Sequence, residues 1–453
     1  MKLAKYLKEC DGIYHVTLDP KTTGVVRVHL VPPKKLKPGV PWVAVINGYS
    51  ILPLQSSWAV LLKEFIEVVN EYDGKVLTSD EIDQLVSKTA SRVKLIFKNT
   101  EQKYIKQDLK DIVGTLRKIC CGEEPDSKIG YMTLAKYSKY MKAPHRMDLM
   151  ISSMEKEGCW NCNQKCLHCY AANEIKSNVQ EMTTTDWKKA IDNCKKAGIP
   201  SLTFTGGEPT MREDLVELID YSKWFVTRLN TNGIRLSAEL CEQLYSASLD
   251  SVQVTLYSSD ASIHNELVGG NHFDQTIQGI KNAIKANLDV SVNTPLCSLN
   301  KDFLNTIKYL EGLGVRYFSC SGLIPTGNAK TSESQITALT KSQILDIVRE
   351  ASSYARAHNL EVAFTSPGWI DGEYLKKMKM VVPSCGACLS NMAIAPNGDI
   401  IPCQSWLNGT SLGNILKHNF KDVWNGQMCK RIRKKASLEE EICLLKEGNF
   451  NGN

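Results

Sequence analysis

The segment from residue 147 to about residue 365 alternates strand patterns with helical ones, and this alternation restricts the fold more than any other feature. Helical periodicity occupies intervals such as 184–196, 212–222, 237–247 and 301–313. Strands separated by helices pair in parallel, because the chain needs a crossover to return to the same edge. Six such units predict an α/β fold with a partial (β/α)6 barrel, whose chemistry lies on the loops after the strands. The strand candidates are DLMIS (148–152), LTFT (202–205), FVTRLN (225–230), SVQVTL (251–256), VSVNTP (290–295) and RYFSCS (316–321).

A cysteine loop directly follows the first predicted strand. Cys162, Cys166 and Cys169 are spaced by three and two residues, too closely to tie distant strands together. Three thiolates on one loop can hold three irons of a [4Fe–4S] cluster and leave the fourth iron open for a small molecule. A zinc site is the alternative, with Cys159 or His168 as fourth ligand. The spacing alone favours iron–sulfur only modestly.

A glycine-rich segment, TFTGGEPT (203–210), follows the second predicted strand. Gly206 and Gly207 allow a backbone edge to approach a ligand closely. Glu208 can accept a hydrogen bond from a ligand ammonium group. Alone, Gly-Gly-Glu-Pro indicates only a turn, but its place one strand after the cysteine loop indicates a shared site.

Because the cysteine loop and the GGEP segment occur together, residues 147 to about 330 resemble the radical S-adenosylmethionine (SAM) enzymes. The resemblance implies that the open iron binds the amino and carboxylate groups of SAM. One electron from the cluster then cleaves the sulfonium, and the 5′-deoxyadenosyl radical abstracts a substrate hydrogen. The segments that carry the resemblance are the cysteine loop, GGEP, NTNG (230–233), VQVTLY (252–257) and IPTGNA (324–329).

The resemblance also assigns side chains to SAM. It implies that the Gly-Gly-Glu segment faces the SAM amino group. Asn232 and Thr255 become candidates for the ribose and carboxylate, with hydrogen bonding inside the barrel as the alternative for each. His168 falls where the family often has an aromatic residue near the adenine, and packing is its alternative role. No further catalytic residue is assigned.

A second cysteine set lies near the end of the chain. Cys385, Cys388 and Cys403, with a glycine five residues before Cys403, resemble the start of a SPASM domain, which carries auxiliary [4Fe–4S] clusters. The dense cysteine string of a full SPASM domain is absent, so a single auxiliary cluster of the shortened Twitch type is expected. Cys443 is the expected fourth ligand, and Cys429 is expected to be a buried thiol. A zinc knuckle is the alternative.

The first 120 residues predict a separate winged-helix-like module. A strand (25–31) precedes a hairpin turning at Asn47-Gly48, and three helices follow, the second opening with a Thr78–Glu81 capping box and a Leu77–Ile82 staple. The segments INGYSILPLQ, EYDGK, TSDEIDQLV and IKQDLKDIVGTL are similar to the small peptide chaperone of pyrroloquinoline quinone biosynthesis. The similarity implies that the module binds a peptide leader as an added strand. A winged helix for dimerisation or nucleic acid is the alternative.

The domain boundaries follow from these patterns. We expect a peptide-recognition-like module at 1–121, a linker at 122–146, the partial barrel at 147–365 and a SPASM or Twitch-like domain at 366–453. The sequence shows no signal peptide and no stretch long enough for a membrane span, so a cytoplasmic, reducing location is expected for its 16 cysteines.

Charge says little about partners. The net charge is only +6, and the densest basic run, residues 430–435, is typical of a solvated helix face. No recognition helix for nucleic acid stands out, so neither nucleic acid nor a membrane is expected as a partner. The expected partners are a precursor peptide and a low-potential electron donor such as flavodoxin or ferredoxin.

The resulting prediction is a radical SAM peptide maturase that abstracts hydrogen from a ribosomally made precursor. A thioether, carbon–carbon or carbon–oxygen crosslink needs an electron sink, so the auxiliary cluster favours a crosslink over epimerisation. One alternative is a small-molecule cyclase of the molybdenum cofactor type, which would not need the first module. The other is a non-catalytic iron–sulfur carrier or scaffold, against which the Gly-Gly-Glu-Pro segment argues.

Overall fold

The computed structural model describes residues 3–10, 12–18, 26–33, 40–48, 50–72, 76–120, 138, 141–409, 411–438 and 441–445. The chain divides into two compact units, which are described separately. The first comprises Met1–His145, Ala197–Ser201 and Trp224–Val226, and the second comprises Arg146–Lys196, Leu202–Lys223 and Thr227–Asn453. Most of the predicted linker at 122–146 lies outside the described residues.

The first unit is an antiparallel sheet followed by three long helices. Its strand order is β1-β2-β3-β4. Apolar side chains of the sheet and of all three long helices form one buried cluster, which makes the unit a module with its own core. Its elements are α1 (Leu3–Glu9), β1 (Tyr14–Leu18), β2 (Val26–Val31), β3 (Trp42–Ile46), β4 (Ser50–Leu54), α2 (Ser56–Asn70), α3 (Ser79–Ile96) and α4 (Gln102–Cys120).

Local sequence signals account for the turns and caps of this unit. Asn47 and Gly48 both have positive φ, 48° and 76°, as the β3–β4 turn requires. The predicted capping box at α3 is present: the Thr78 N–H donates to Glu81 Oε2 at 2.9 Å, and the Glu81 N–H donates to Thr78 Oγ1 at 3.3 Å. Ile82 is 48% exposed, so the predicted staple contributes little.

The sequence patterns did not predict α1 and β1. Strand β1 pairs antiparallel with β2 and covers that edge of the sheet. The Tyr6 hydroxyl on α1 donates to the Glu64 carboxylate on α2, and the Lys63 ammonium lies 4.7 Å from the centre of the Tyr14 ring. These contacts fix the N-terminal segment to the core. In the strand order given above, β4 is the other edge strand of the sheet.

The second unit is built on a sheet of ten strands in the order β13-β12-β11-β10-β9-β8-β5-β14-β15-β16. The pairings from β9 through β13 and between β5 and β14 are parallel, and those among β14, β15 and β16 are antiparallel. All six predicted strands are present, and β13 and β14 extend the parallel sheet at its two ends. The ten strands of the sheet are β5 (Arg146–Ser152), β8 (Ser201–Gly206), β9 (Val226–Thr231), β10 (Ser251–Thr255), β11 (Asp289–Pro295), β12 (Tyr317–Ser321), β13 (Glu361–Phe364), β14 (Asn391–Ile394), β15 (Asp399–Ile401) and β16 (Gly413–Asn414), and β6 (Glu155–Lys156) and β7 (Cys159–Trp160) form a separate hairpin.

Helices connect the parallel strands, as the βα alternation predicts. No helix among the described residues is long and apolar enough to cross a membrane. The helices are α5 (Thr184–Ala197), α6 (Leu215–Tyr221), α7 (Ala238–Ser246), α8 (Ala261–Val268), α9 (Phe273–Lys285), α10 (Phe303–Gly312), α11 (Ser332–Ile336), α12 (Lys341–Ala357), α13 (Gly372–Lys377), α14 (Phe420–Asn425) and α15 (Gln427–Leu438).

The two faces of the parallel sheet differ in polarity. Val252, Val254 and Val292 alternate along their strands and are at most 1% exposed. On the opposite face, Gln253 Nε2 donates to Ser319 Oγ at 3.3 Å, and Ser319 Oγ donates to Asn293 Oδ1 at 2.9 Å. Gln253, Asn293 and Ser319 on the second face are therefore polar, uncharged side chains that bond one another across neighbouring strands.

Candidate functional site

The cysteine loop follows β5 and the short hairpin β6–β7. Cys162, Cys166 and Cys169 are partly buried, and the Cys169 N–H donates to the Cys166 carbonyl at 3.2 Å. Burial raises the pKa of the Cys162 thiol to about 12 and also raises the pKa values of Cys166 and Cys169. Such thiols stay protonated unless a bound cation compensates the thiolate charge, as the irons of a cluster do.

Backbone hydrogen bonds hold this loop against α8. The Lys165 N–H donates to the Val268 carbonyl at 3.0 Å, and the Leu167 N–H donates to the Leu267 carbonyl at 2.9 Å. Both acceptors are at the C-terminal end of α8, whose last carbonyls have no partner inside the helix. The end of α8 therefore fixes the backbone between Cys162 and Cys169.

The predicted IPTGNA segment holds the other side of the loop. The Asn328 N–H donates to the Cys169 carbonyl at 2.8 Å, and Asn328 Nδ2 donates to the Cys166 carbonyl at 3.1 Å. Gly327 has φ 56°, and a Cβ there would lie 2.3 Å from the Cys169 carbonyl oxygen. Its N–H donates at 2.7 Å to the buried carboxylate of Glu174. The IPTGNA segment therefore contacts the cysteine loop directly. The sequence did not predict this contact.

The Gly-Gly pair of the GGEP segment packs on the end of β5. Gly206 has φ 139°, and a Cβ there would lie 2.3 Å from the Ser152 carbonyl oxygen. The Gly207 N–H donates to that same oxygen at 2.9 Å, and a Cβ on Gly207 would lie 2.8 Å from the Ser153 carbonyl oxygen. These glycines therefore permit close approach between two segments of the protein.

Gly206→Ala is expected to lower the free energy of unfolding by about 2 kcal/mol, because alanine is strained at this φ and collides with backbone rather than with a flexible side chain. Urea unfolding followed by tryptophan fluorescence measures it. Gly312→Ala is the matched control, since nothing lies within 4 Å of a Cβ there. Equal stability of the two variants would contradict the close-approach role of Gly206.

Glu208 is 2% exposed and joins two loops of the site. Its Oε1 accepts hydrogen bonds from the Thr210 N–H at 3.0 Å and from the Thr210 and Thr231 hydroxyls at 2.6 Å each. Its Oε2 accepts one from the Asn232 N–H at 2.8 Å. Burial raises the pKa of this carboxyl. Oε2 has acceptor capacity for one more donor, which is what the proposed contact with a SAM ammonium needs.

Two of the other proposed SAM contacts, Asn232 and His168, have side-chain partners within the protein. Asn232 Nδ2 donates to Asn163 Oδ1 at 2.6 Å, which ties the NTNG segment to the cysteine loop. His168 is 6% exposed, and its Nε2 lies 2.7 Å from the Thr337 hydroxyl. Burial lowers the pKa of His168 to about 4. Thr255 is half-buried at the end of β10. Their roles toward SAM remain proposals, and Asn163 is a positioning residue that the sequence did not single out.

The second cysteine set is assembled by the β14–β15 hairpin. The turn contains Gly398 at φ 87°, and the Cys388 N–H donates to the Pro402 carbonyl at 3.0 Å, which places Cys388 beside Cys403. Burial raises the pKa of Cys403, and the nearby Cys385 and Cys443 thiols raise it further. The expected ligands Cys385, Cys388, Cys403 and Cys443 therefore lie in one neighbourhood.

Cys429 belongs to this neighbourhood too. It is 1% exposed on α15 and forms a side-chain hydrogen bond with Cys388, which lowers the pKa of Cys429. Arg433 Nη1 lies 3.5 Å from Cys429 Sγ. Sequence reasoning expected only a buried thiol here. Five thiols thus surround the auxiliary site. Cys443 stays our proposed fourth ligand, and Cys429 is in contact with Cys388.

A single ion and an iron–sulfur cluster need different arrangements of their thiolate ligands. Within the described part of the chain, no three His, Cys, Asp or Glu side chains stand close enough together to hold one metal ion. A tetrahedral zinc site needs all its ligands around one point, whereas each thiolate of a [4Fe–4S] cluster binds its own iron. Burial raises the pKa values of the Cys162, Cys166, Cys169, Cys388 and Cys403 thiols, and a bound iron–sulfur cluster would compensate the charge of their thiolates.

Comparison with family models identifies both cysteine regions. Residues 161–310 match the model of the radical SAM superfamily, and residues 385–444 match that of an iron–sulfur cluster-binding domain. The first match begins one residue before Cys162, and the second begins at Cys385 and includes Cys443. The matched segments thus coincide with the two sets of buried thiols.

Individual proteins show the same similarity. The "AdoMet-dependent heme synthase" of Methanosarcina barkeri is 26% identical over 315 residues, 63% of this chain and 86% of that protein. The "Mycofactocin maturase MftC" of Mycolicibacterium smegmatis is 25% identical over 291 residues, 61% of this chain and 71% of that protein. The structure of Streptococcus suis SuiB bound to precursor peptide SuiA aligns with TM-score 0.59 and 17% identity over 87% of both chains, which shows a shared fold.

The α/β chain therefore has a radical SAM domain and a C-terminal iron–sulfur cluster-binding domain. When bound, a [4Fe–4S] cluster and SAM serve the first site, and an auxiliary cluster serves the second.

Proposed function

We propose that this radical SAM enzyme modifies a ribosomally made precursor peptide and forms a crosslink in it. The observation that carries the proposal is the unpaired outer edge of β4 in the first unit. No strand among the described residues pairs with this edge. The fold shared with SuiB over 87% of the chain supports the same conclusion, because that structure holds a precursor peptide.

The chemistry of the β4 edge suits an added strand. Pro53 lies opposite Val43, and a proline in an edge strand turns its nitrogen toward the free side. Alternate residues direct their backbone groups to the same side, so the N–H and C=O of Ile51 also face outward. A peptide strand finds one donor and two acceptors here: Ile51 N–H, Ile51 C=O and Pro53 C=O.

A groove near the end of β4 can hold a leader side chain. It has a volume of about 430 Å³, its open mouth included, and lies among α2, α3 and α4. Five of its eight lining residues are apolar and the Asp108 carboxyl is the only ionisable group among them, so an apolar leader residue could occupy the groove. The lining residues are Ser57, Trp58, Leu61, Val93, Phe97, Thr100, Ile105 and Asp108.

In the second unit, Cys162, Cys166 and Cys169 would hold the cluster that, with SAM, would supply a radical able to remove a hydrogen atom from the peptide. The chain's own residues prepare the site. Asn328 and the end of α8 hold the cysteine loop, and Glu208 joins the GGEP and NTNG segments. The polar sheet face around Gln253 and Asn293 can bind peptide amides. Cys385, Cys388, Cys403 and Cys443 would hold an auxiliary cluster, which would supply an acceptor for the electron that crosslink formation releases and so favours a crosslink over epimerisation.

Modification of a tetrapyrrole is the second candidate function. The similarity to the heme synthase of M. barkeri, which covers 86% of that protein, favours it. That alignment leaves over a third of this chain unmatched, and a small-molecule enzyme has no evident use for the β4 edge. The two candidates therefore differ in whether the first unit binds substrate.

Replacing Ile51 with Pro tests the proposal. The change removes the outward N–H of β4 and leaves the bonds to β3 intact. Ile51→Ala loses similar side-chain bulk but keeps the N–H, so it is the matched control. Short peptides encoded beside the gene, labelled with a fluorophore, are the probes. Ile51→Pro is expected to weaken binding at least about tenfold relative to Ile51→Ala, as expected for loss of a backbone bond that also positions the strand.

Formation of 5′-deoxyadenosine from SAM without peptide should be equal in the two variants, because the β4 edge takes no part in it. Equal peptide affinity of the two variants would reject strand addition at β4. Conversion of a porphyrin by both variants, with no peptide bound by the wild type, would establish the tetrapyrrole function instead.

A further inference from the structure

The helix that carries Cys429 has two chemically opposite faces. Cys429, Ile432 and Ala436 are at most 2% exposed and point into the iron–sulfur domain. Lys430, Arg431 and Lys434 are exposed, and their spacing of three and four residues places them together on the other side of α15. These three residues are termed the basic face. They belong to the basic run that the sequence alone assigned to a solvated helix face.

Two side chains of the basic face have no ion pair in the described part of the chain. Neither Lys430 nor Lys434 forms an ion pair with any residue that the structure describes, whereas many other lysines do. Leu438, one turn beyond Lys434, is 72% exposed, and Met428 is 39% exposed. Cationic side chains next to exposed apolar ones are typical of a surface that docks an acidic protein.

The auxiliary site lies directly beneath this face. Cys429 forms its hydrogen bond with Cys388, and the Arg433 guanidinium lies 3.8 Å from the centre of the Trp424 ring and donates to the Trp424 carbonyl at 3.0 Å. A helix with its side chains is about 10–12 Å across. A protein bound to the basic face is therefore separated from the auxiliary cysteines by the thickness of one helix.

We propose that the basic face of α15 docks an acidic, low-potential, one-electron carrier protein of the flavodoxin or ferredoxin class. One electron leaves the carrier, which is oxidised by one electron, and enters the auxiliary cluster, which is reduced by one and must pass that electron to the SAM-binding cluster before it can accept the one that crosslink formation releases. No bond forms or breaks in this step. The proposal depends on the auxiliary cluster and is independent of whether the substrate is a peptide.

The test compares two charge-reversal variants of the reconstituted enzyme. Lys430→Glu with Lys434→Glu changes the basic face. Lys281→Glu with Lys285→Glu changes an equally exposed pair, four residues apart on α9, that also lacks an ion pair within the described chain. An acidic flavodoxin in its reduced form is the probe, and stopped-flow bleaching of the cluster absorbance is the readout. Reduced methyl viologen, a small cation that needs no docking surface, is the control reductant.

Reversal on α15 should slow reduction by flavodoxin about tenfold or more at low salt, while the α9 pair changes it by less than about twofold. The wild-type rate should fall as salt rises from about 50 to 500 mM, because ions screen the steering charges. Methyl viologen should reduce all proteins alike. If the α15 variant loses iron, the Lys430→Gln, Lys434→Gln variant takes its place. We then expect reduction by flavodoxin to slow less than with Glu, but still more than in the α9 variant.

Equal rates for the two variants with flavodoxin would overturn the proposal. So would slower modification of a peptide by the α15 variant under methyl viologen, since the basic face would then bind the substrate. Slower reduction by flavodoxin alone would establish the docking surface, whichever substrate the enzyme acts on.

Discussion

Replacing Cys162, Cys166 and Cys169 together with Ala is expected to abolish 5′-deoxyadenosine formation and to remove about half of the bound iron, if each site holds one four-iron cluster. The three thiols are partly buried, and burial raises their pKa values. Without them the loop between β7 and α5 cannot hold a cluster, while the auxiliary thiols stay intact. Iron analysis and anaerobic chromatography of the reconstituted protein measure both effects.

Cys241→Ala is the control for that experiment. Cys241 is fully buried on α7 and lacks metal-ligand spacing, so its replacement should leave iron and 5′-deoxyadenosine unchanged apart from a modest loss of stability. Loss of all iron in the triple variant would mean that the two sites form one centre. Retention of all iron would mean that the cysteine loop binds none, and the radical mechanism would have to be abandoned.

Glu208→Ala is expected to lower the free energy of unfolding by about 4 kcal/mol and to abolish SAM cleavage. The carboxylate accepts four hydrogen bonds, and its removal leaves the buried N–H groups of Thr210 and Asn232 without a partner. Asn232 in turn bonds Asn163 in the cysteine loop, so the loss should spread to the cluster site. Urea unfolding and 5′-deoxyadenosine formation are the two measurements.

Two further variants make the Glu208 result specific. Glu208→Gln keeps the volume and one carbonyl acceptor, so it should fall between the wild type and Glu208→Ala in stability. Glu217→Ala removes an exposed carboxylate that pairs with Lys188 at 2.5 Å, and a surface pair of this kind contributes at most about 1 kcal/mol. A Glu208→Ala protein as stable as Glu217→Ala would refute the joining role of Glu208.

The barrel could be predicted because its signal is local and repeated. Each of the six predicted strands ends within two residues of its position in the structure. Runs of β-branched residues mark the strands, and amphipathic periodicity marks the helices between them. β13 was missed because EVAF is only four residues long, too short for strand periodicity to stand out. α1 and β1 were missed for another reason. Contacts with α2 stabilise them, and their own residues show no clear helical or strand periodicity.

The chemistry of the site was predictable by residue type, but its internal connections were not. Cysteine spacing and the GGEP segment are short motifs and stand out in the sequence. The hydrogen bonds of Asn328 to the cysteine loop and of Asn232 to Asn163 join residues 162 and 69 positions apart, and no local pattern encodes such pairs. The contact of Cys429 with Cys388 was hidden in the same way, because an isolated cysteine in a helix indicates only burial.

The mass of the precursor peptide after reaction tests the central claim most directly. Each short peptide encoded beside the gene is incubated anaerobically with the reconstituted enzyme, SAM and reductant, and is then analysed by mass spectrometry. The account predicts that one peptide loses two hydrogen atoms per crosslink while 5′-deoxyadenosine forms, and that Ile51→Pro prevents the mass change but not SAM cleavage. Unchanged peptides together with conversion of a porphyrin would contradict it.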